Sequence, residues 1–300
     1  MDPNGTDVLC PLVTPFLGDG GADGVDVETL ETHVEWLVEA GIDGLVPVGT
    51  TGEFASLTDE ERETVIRTTV DAAPADVPVV AGAAATSVVD AAGWVDRVDD
   101  LGADAALVPP PYFHGASGPA GHRRFFESVL ARSSGDVFLY NFPGPVGEPL
   151  PAEVAVALAE RPRVRGLKDS SGDVDYLGRV LARTGPSFPV LVGADSLLGT
   201  GVAVGAAGGV NGLANVAPKQ LLEIAEFAGE GDVRGARDRT RRLRPLLEAA
   251  AAHGYAGTVK AGLVARGIYG TAAVRPPLVP PAESACEAIG EAVSTLLEES

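Results

Sequence analysis

Gly44-Leu45-Val46-Pro47-Val48, residues 44–48, is a short apolar run set between two helical patterns. Before it, Val27, Leu30, Val34 and Leu37 recur at three-four-three spacing, the mark of one buried helix face. After it, Thr58 precedes Glu61 by three positions, the capping box that starts a second helix. The alternation repeats along the chain. The other strand candidates are Val8 to Val13, Val77 to Ala81, Ala105 to Val108, Val137 to Tyr140, Val164 to Leu167, Val190 to Val192 and Gly208 to Val210. Parallel neighbours need crossover connections, so eight strand-then-helix units imply a parallel sheet with helices outside it. The count fits an α/β fold of the (β/α)₈ TIM-barrel kind.

The competing doubly wound sheet opens with a GxGxxG turn after its first strand. Here that place holds Thr14-Pro15-Phe16-Leu17-Gly18-Asp19-Gly20-Gly21, which lacks the spacing. Gly199, Gly201 and Gly205, within the glycine-rich stretch 193–212, are spaced GxGxxxG and come late in the chain, so a nicotinamide-dependent enzyme has little support. Beyond about residue 215 the pattern is helical: Lys219 to Gly229, Val233 to Ala252, Thr258 to Gly267 and Ala282 to Leu297. Residues 1–215 are therefore expected to form the barrel core, and 216–300 its last helix and a C-terminal helical extension of the same unit.

The 300 residues are 45% hydrophobic, enough apolar material for one large core. No uninterrupted apolar run reaches the roughly 18 residues of a membrane span, and Met1-Asp2-Pro3-Asn4-Gly5 lacks the basic and apolar segments of a leader. A soluble, cytoplasmic protein is expected. Cys10 and Cys286 form no CxxC pair, and His33, His114, His122 and His253 show no ligand spacing, so no metal is expected. A net charge of −20 argues against nucleic acid or an anionic membrane as partner. The chain has 19 Arg but only three Lys, against 42 Asp plus Glu. Such an acid-rich, lysine-poor balance suits a halophilic cytoplasm, where salt screens self-repulsion.

In a barrel of this kind the chemistry collects at the C-terminal strand ends, so polar residues just after apolar runs are the candidates. Four places qualify: Val48-Gly49-Thr50-Thr51-Gly52-Glu53, Pro109-Pro110-Pro111-Tyr112-Phe113, Tyr140-Asn141-Phe142-Pro143 and Gly166-Leu167-Lys168-Asp169-Ser170-Ser171. Lys168 ends a strand, which aims its amine into the barrel mouth, where desolvation favours the free amine that attacks a carbonyl. Tyr140 ends the preceding strand, and its phenol can relay protons beside an imine. Thr50 and Thr51 present hydroxyls and backbone N–H groups together, suited to a carboxylate. Lys219 opens a helix and reads as solvated, whereas Lys260 reads as snorkelling or ion-paired.

These residues resemble a family. Gly49-Thr50-Thr51-Gly52-Glu53, Tyr140-Asn141-x-Pro143 with Gly147, and Gly166-Leu167-Lys168-Asp169-Ser170 look like the dihydrodipicolinate synthase / N-acetylneuraminate lyase (DapA-like) family of Schiff-base class I aldolases, in the family's order and from about Pro11 onward. The resemblance implies a homotetramer that uses no cofactor and takes a 2-keto acid and an aldehyde. Lys168 then matches the imine-forming lysine, Tyr140 the proton-relay tyrosine, and Thr50 and Thr51 the carboxylate-binding pair. Val210 falls where the family places a backbone carbonyl near substrate, and Gly193 joins it as a substrate-binding position.

Two departures bear on the substrate. The synthases carry an arginine five positions after this tyrosine, where Pro145 stands here, and a Tyr-Tyr pair where this chain has Tyr112-Phe113. A lyase of 2-keto-3-deoxy sugar acids, of the 2-keto-3-deoxygluconate type in carbohydrate metabolism and of haloarchaeal kind, is therefore expected to yield pyruvate and an aldehyde. Asn141, Ser170, Ser171, Asp195, Ser196 and Asn211 are available to bind its hydroxyls. The alternatives are 4-hydroxy-tetrahydrodipicolinate synthase, 4-hydroxy-2-oxoglutarate aldolase, a keto-deoxy sugar acid dehydratase and a catalytically silent sugar-acid sensor.

Overall fold

A computed structural model describes residues 6–20, 23–114 and 117–298; Met1–Gly5, read above for a leader, lie outside the described residues. The eight strands are β1 (Asp7–Cys10), β2 (Gly44–Leu45), β3 (Val80–Gly82), β4 (Ala105–Val108), β5 (Val137–Asn141), β6 (Val164–Asp169), β7 (Val190–Val192) and β8 (Gly208–Val210). All pair in parallel, in the order β2-β1-β8-β7-β6-β5-β4-β3. A parallel bridge from Leu45 to Val79 joins the two ends of that order. The sheet is thus a (β/α)₈ barrel.

Prolines set three strand edges differently from the apolar runs. Pro11 ends β1 short of Val13, Pro47 follows the short β2, and Pro78 delays β3 to Val80, because a proline has no N–H for the ladder. In the other direction β6 runs on to Asp169, so Lys168 lies inside a strand.

The barrel is wrapped by α1 (Val27–Glu39), α2 (Asp59–Ala72), α3 (Val88–Asp100), α4 (Gly118–Leu130), the single turn α5 (Pro143–Val146), α6 (Ala152–Ala159), α7 (Val174–Leu181), α8 (Leu198–Ala203) and α9 (Pro218–Gly229). Their entries are written locally. Asp26, Ser87 and Asp173 accept from first-turn N–H groups, and Thr58 with Glu61 closes the expected capping box. Each such cap is worth about 1 kcal/mol. Four more helices follow: α10 (Val233–Arg242), α11 (Arg244–His253), α12 (Tyr255–Ala265) and α13 (Glu283–Glu298). The single helix expected over 233–252 is divided near Leu243, since Pro245 has no N–H to offer the carbonyl four residues back. None of the described helices is long and apolar enough to cross a membrane.

Strand alternation produces two cores. One, between sheet and helices, includes Val8, Cys10, Leu139 and Leu167. The other fills the barrel and includes Leu9, Val46, Leu107, Phe138, Tyr140, Leu191 and Val210. The first is where the helices gain their stability; the second supports the site.

Candidate active site

Lys168 and Tyr140 are register partners on β6 and β5, and both point into the barrel. One step lower, Phe138 faces Gly166, where a Cβ would come within 2.4 Å of the phenylalanine ring. Gly166 is required by that close approach, and Phe138 thereby plugs the barrel beneath the lysine. Lys168 is 4% and Tyr140 6% exposed, and the lysine Nζ sits 4.6 Å from the centroid of the tyrosine ring. Phe142 stacks on the other partner of that pair, with ring centroids 5.5 Å apart from Tyr140. A buried amine against an aromatic face, with a phenol on the same ring, can act as a nucleophile with a proton carrier beside it.

The neighbours of these two residues in sequence do the opposite job. Asn141 and Asp169, also register partners, bond to each other at 2.8 Å, and Asn141 Oδ1 accepts from Leu150 N. Asp169 also accepts from Ser171 N and Oγ. Burial pushes the Asp169 carboxyl up, opposed by the Ser171 and Asn141 hydrogen bonds. This outward pair ties the ends of β5 and β6 together and fixes the start of the segment that carries α5.

The turn after β2 is strained. Val48 and Glu53 both adopt left-handed φ, at 57° and 58°, and a β-branched residue there costs of order 1–3 kcal/mol. Gly82 makes it possible, since any Cβ on Gly82 would lie 2.0 Å from Val48 O. Between the two strained residues, Thr50 is exposed and Thr51 half-buried. Glu53 clamps the far end: its Oε1 accepts from Lys260 Nζ at 2.6 Å and its Oε2 from Arg275 N at 2.9 Å. Lys260 is fully buried, donates also to Ala273 O at 2.7 Å and lies over Phe16. Burial pulls its pKa down to about 8, with Glu53 working against that. The expected ion pair is there, and it ties the Thr50–Thr51 turn to α12 and to Arg275.

Val210 is buried among the barrel-filling side chains. Gly193, just past β7, packs so closely against Ser170 that a Cβ would fall 1.9 Å from its Oγ. Two residues on, Asp195 accepts the Tyr255 hydroxyl and Leu213 N. Burial raises the Asp195 carboxyl, while those bonds and the charge of Lys168 oppose the rise. Nothing local to α12 marks Tyr255 in the sequence, which offers Asp195 only as a sugar-binding residue.

Of the side chains expected to hold sugar hydroxyls, most are engaged within the protein, while Ser170 is half-buried against Gly193. Asn141 and Ser171 are taken up by the outward network, Asp195 by Tyr255, and Ser196 is exposed. Asn211 donates to Val192 O. What does open beside Tyr140 is a cavity of about 260 Å³, lined by Thr50, Phe54, Leu107, Tyr112, Phe142 and Pro145 among others. A larger groove of about 570 Å³ lies at the opposite end of the barrel, beside Thr6, Pro189 and Ala207, away from Lys168.

The dihydrodipicolinate synthetase family model matches residues 4–296. A DapA-like lyase of Halobacterium salinarum is 36% identical over 271 residues, covering 90% of this chain and 87% of its own. A 4-hydroxy-tetrahydrodipicolinate synthase of Natronomonas pharaonis is 37% identical over 243 residues, 81% of each chain. Among solved structures, the dihydrodipicolinate synthase of Acinetobacter baumannii, complexed with pyruvate, superposes with a TM-score of 0.90 at 32% identity, covering 97% of this chain and 98% of that one.

Proposed function

Given that the chain belongs to the dihydrodipicolinate synthetase family of pyruvate-dependent carbon–carbon lyases, we propose that Lys168 is its imine-forming nucleophile and Tyr140 its proton carrier. The observation that carries this is the buried amine of Lys168, placed directly across β5 and β6 from the ring of Tyr140.

In the cleavage direction the Lys168 amine adds to C2 of a 4-hydroxy-2-keto acid, and Tyr140 gives its phenol proton to the hydroxyl that leaves as water, so that a protonated imine and a phenolate result. Tyr140 takes the proton of the C4 hydroxyl as the C3–C4 bond breaks. The bonding pair moves through C3 into the imine nitrogen, leaving an enamine and a free aldehyde. Protonation at C3 and hydrolysis then release pyruvate and the lysine. The imine is the electron sink, so the sequence calls for no cofactor. Thr50 and Thr51, on the strained turn that Glu53 anchors, are proposed to hold the substrate carboxylate, with Val210 and Gly193 lining the remainder of the keto-acid site.

The sugar-acid reading has little to recommend it, since Asn141, Ser171 and Asp195 are engaged elsewhere and the Halobacterium and Natronomonas relatives are not named for such a substrate. A second reading, condensation of pyruvate with aspartate semialdehyde, is favoured by the name of the Natronomonas relative. Pro145, however, offers the semialdehyde carboxylate no charge. Residues 1–215 and 216–300 are proposed to act as one unit, joined by the Glu53–Lys260 pair, in a cytoplasmic homotetramer. Phe113, 98% exposed and held at φ 75°, is an apolar side chain suited to cover in such an assembly.

The direct assay is pyruvate exchange: wild-type protein should exchange the C3 protons of pyruvate with deuterium through the enamine, and Lys168→Ala should not. Exchange of equal rate in Lys168→Ala overturns the assignment.

A further inference from the structure

The cavity beside Tyr140 has an unusual wall for a site that handles organic acids. Among the described residues its lining holds no Asp, Glu, Lys, Arg, His, Asn or Gln, and the hydroxyls of Thr50, Tyr112 and Tyr140 are the only polar side-chain groups there. The rest is hydrocarbon, from Leu107 on β4, from Phe54 after β2, and from Phe142, Pro145 and Val146 at α5. The aromatic members are held in fixed pairs: Phe142 stacks on Tyr140 at 25°, and Phe54 meets Tyr112 edge-on at 72°. The ring of Tyr140 is a wall shared by this cavity and the Lys168 amine.

With the keto-acid carboxylate at Thr50, the part of the substrate beyond C4 is placed against the remaining wall, formed by Leu107, Tyr112, Phe142 and Pro145. Once C2 is bound to Lys168 and the C4 hydroxyl faces Tyr140, the carbons that follow enter the cavity. A second carboxylate there would be desolvated with no cation to pair it, the Thr50 end being given to the keto-acid carboxylate, and a polyol would leave hydroxyls without partners. The neighbouring arginine, Arg62, does not relieve this. Its guanidinium lies over the Phe54 and Trp94 rings, its Nε bonds Phe54 O, and it lines an adjoining groove with Asp59 and Asp90. At about 260 Å³ the cavity exceeds the roughly 150 Å³ that holds a benzene ring.

We propose that the aldehyde partner of this lyase carries an uncharged, apolar substituent up to about the size of an aromatic ring. The substrate class is then a 4-hydroxy-2-keto acid with an aryl or branched alkyl group on C4. In the condensing direction the enamine carbon C3 attacks the aldehyde carbon, the C3–C4 bond forms, the aldehyde oxygen takes a proton from Tyr140, and water releases the product from Lys168. This rests on the imine role of Lys168, and the test separates the two.

Pyruvate is incubated with benzaldehyde, 3-methylbutanal, D-glyceraldehyde or aspartate semialdehyde, and kcat/KM is taken from the 4-hydroxy-2-keto product. A parallel sample with pyruvate alone is reduced with borohydride and mapped for label on Lys168. The expected result is label on Lys168 and kcat/KM at least about tenfold higher for an apolar aldehyde than for either polar one. Pro145 is exposed, so Pro145→Arg should fold; it should reverse that preference towards aspartate semialdehyde by placing a cation at the cavity wall. Label on Lys168 with a polar aldehyde preferred overturns the apolar assignment and leaves the lysine in place. No label overturns both.

Discussion

The ring of Tyr140 faces the Lys168 amine at 4.6 Å across two hydrogen-bonded strands, so the phenylalanine variant at position 140 separates the ring from its hydroxyl. Tyr140→Phe keeps the aromatic face and removes the proton carrier. Turnover should fall on the order of 10² to 10⁴-fold, the usual worth of general acid–base catalysis, while slow imine formation with pyruvate persists. Steady-state rates and borohydride trapping on the same variant check this, and unchanged turnover would remove Tyr140 from the proton path.

Glu53 and Lys260 are both withdrawn from solvent and bonded at 2.6 Å. Lys260→Met leaves the Glu53 carboxylate buried with Arg275 N as its remaining donor among the contacts described. Removing one member of such a pair costs about 3–5 kcal/mol, which urea denaturation should register. Because the pair anchors the Thr50–Thr51 turn, the variant's KM for pyruvate should also rise. A loss under about 1 kcal/mol would show that the pair is not held as described.

His33 is fully buried between Tyr269 and Asn215, and burial pulls its pKa from 6.5 down to about 4. Between those values the unfolded chain takes up a proton that the folded chain refuses, so stability is full above about pH 6.5 and falls as the solution is acidified. By about pH 5 the loss from this one group is about 2 kcal/mol. Denaturation of wild type and His33→Gln at neutral pH and near pH 5 isolates it: the variant should lose less between the two, and an equal loss in both would rule His33 out.

A net charge of −20 on 300 residues sets a further expectation. Self-repulsion at low salt is screened as ions are added, the Debye length falling to about 3 Å at 1 M. The thermal midpoint should therefore climb steeply from low to molar KCl. A midpoint indifferent to salt would sink the halophilic reading.

Much of this molecule is written locally. The barrel follows from short apolar runs alternating with capped helices, and Lys168 and Tyr140 follow from polar residues that end such runs. The strand edges at Pro11 and Pro78 depart from the apolar runs because a missing N–H outweighs side-chain apolarity. Asn141 and Asp169 are also legible locally: next to inward-facing Tyr140 and Lys168, period-two alternation places them outward. Other features are not local at all. Glu53 meets Lys260 across 207 positions and Tyr255 meets Asp195 across 60, and in neither pair do a residue's own neighbours identify its partner. The cavity's apolar wall is likewise assembled from segments after β2, β4 and β5 that only the closed barrel brings together.

The most direct test of Lys168 as nucleophile is borohydride reduction in the presence of pyruvate, followed by peptide mapping. The chain offers only three lysines, Lys168, Lys219 and Lys260, so the assignment is unambiguous. A stable adduct on the peptide containing Lys168, absent when pyruvate is omitted, is the predicted result. An adduct on Lys260 or Lys219, or none on Lys168, would contradict it.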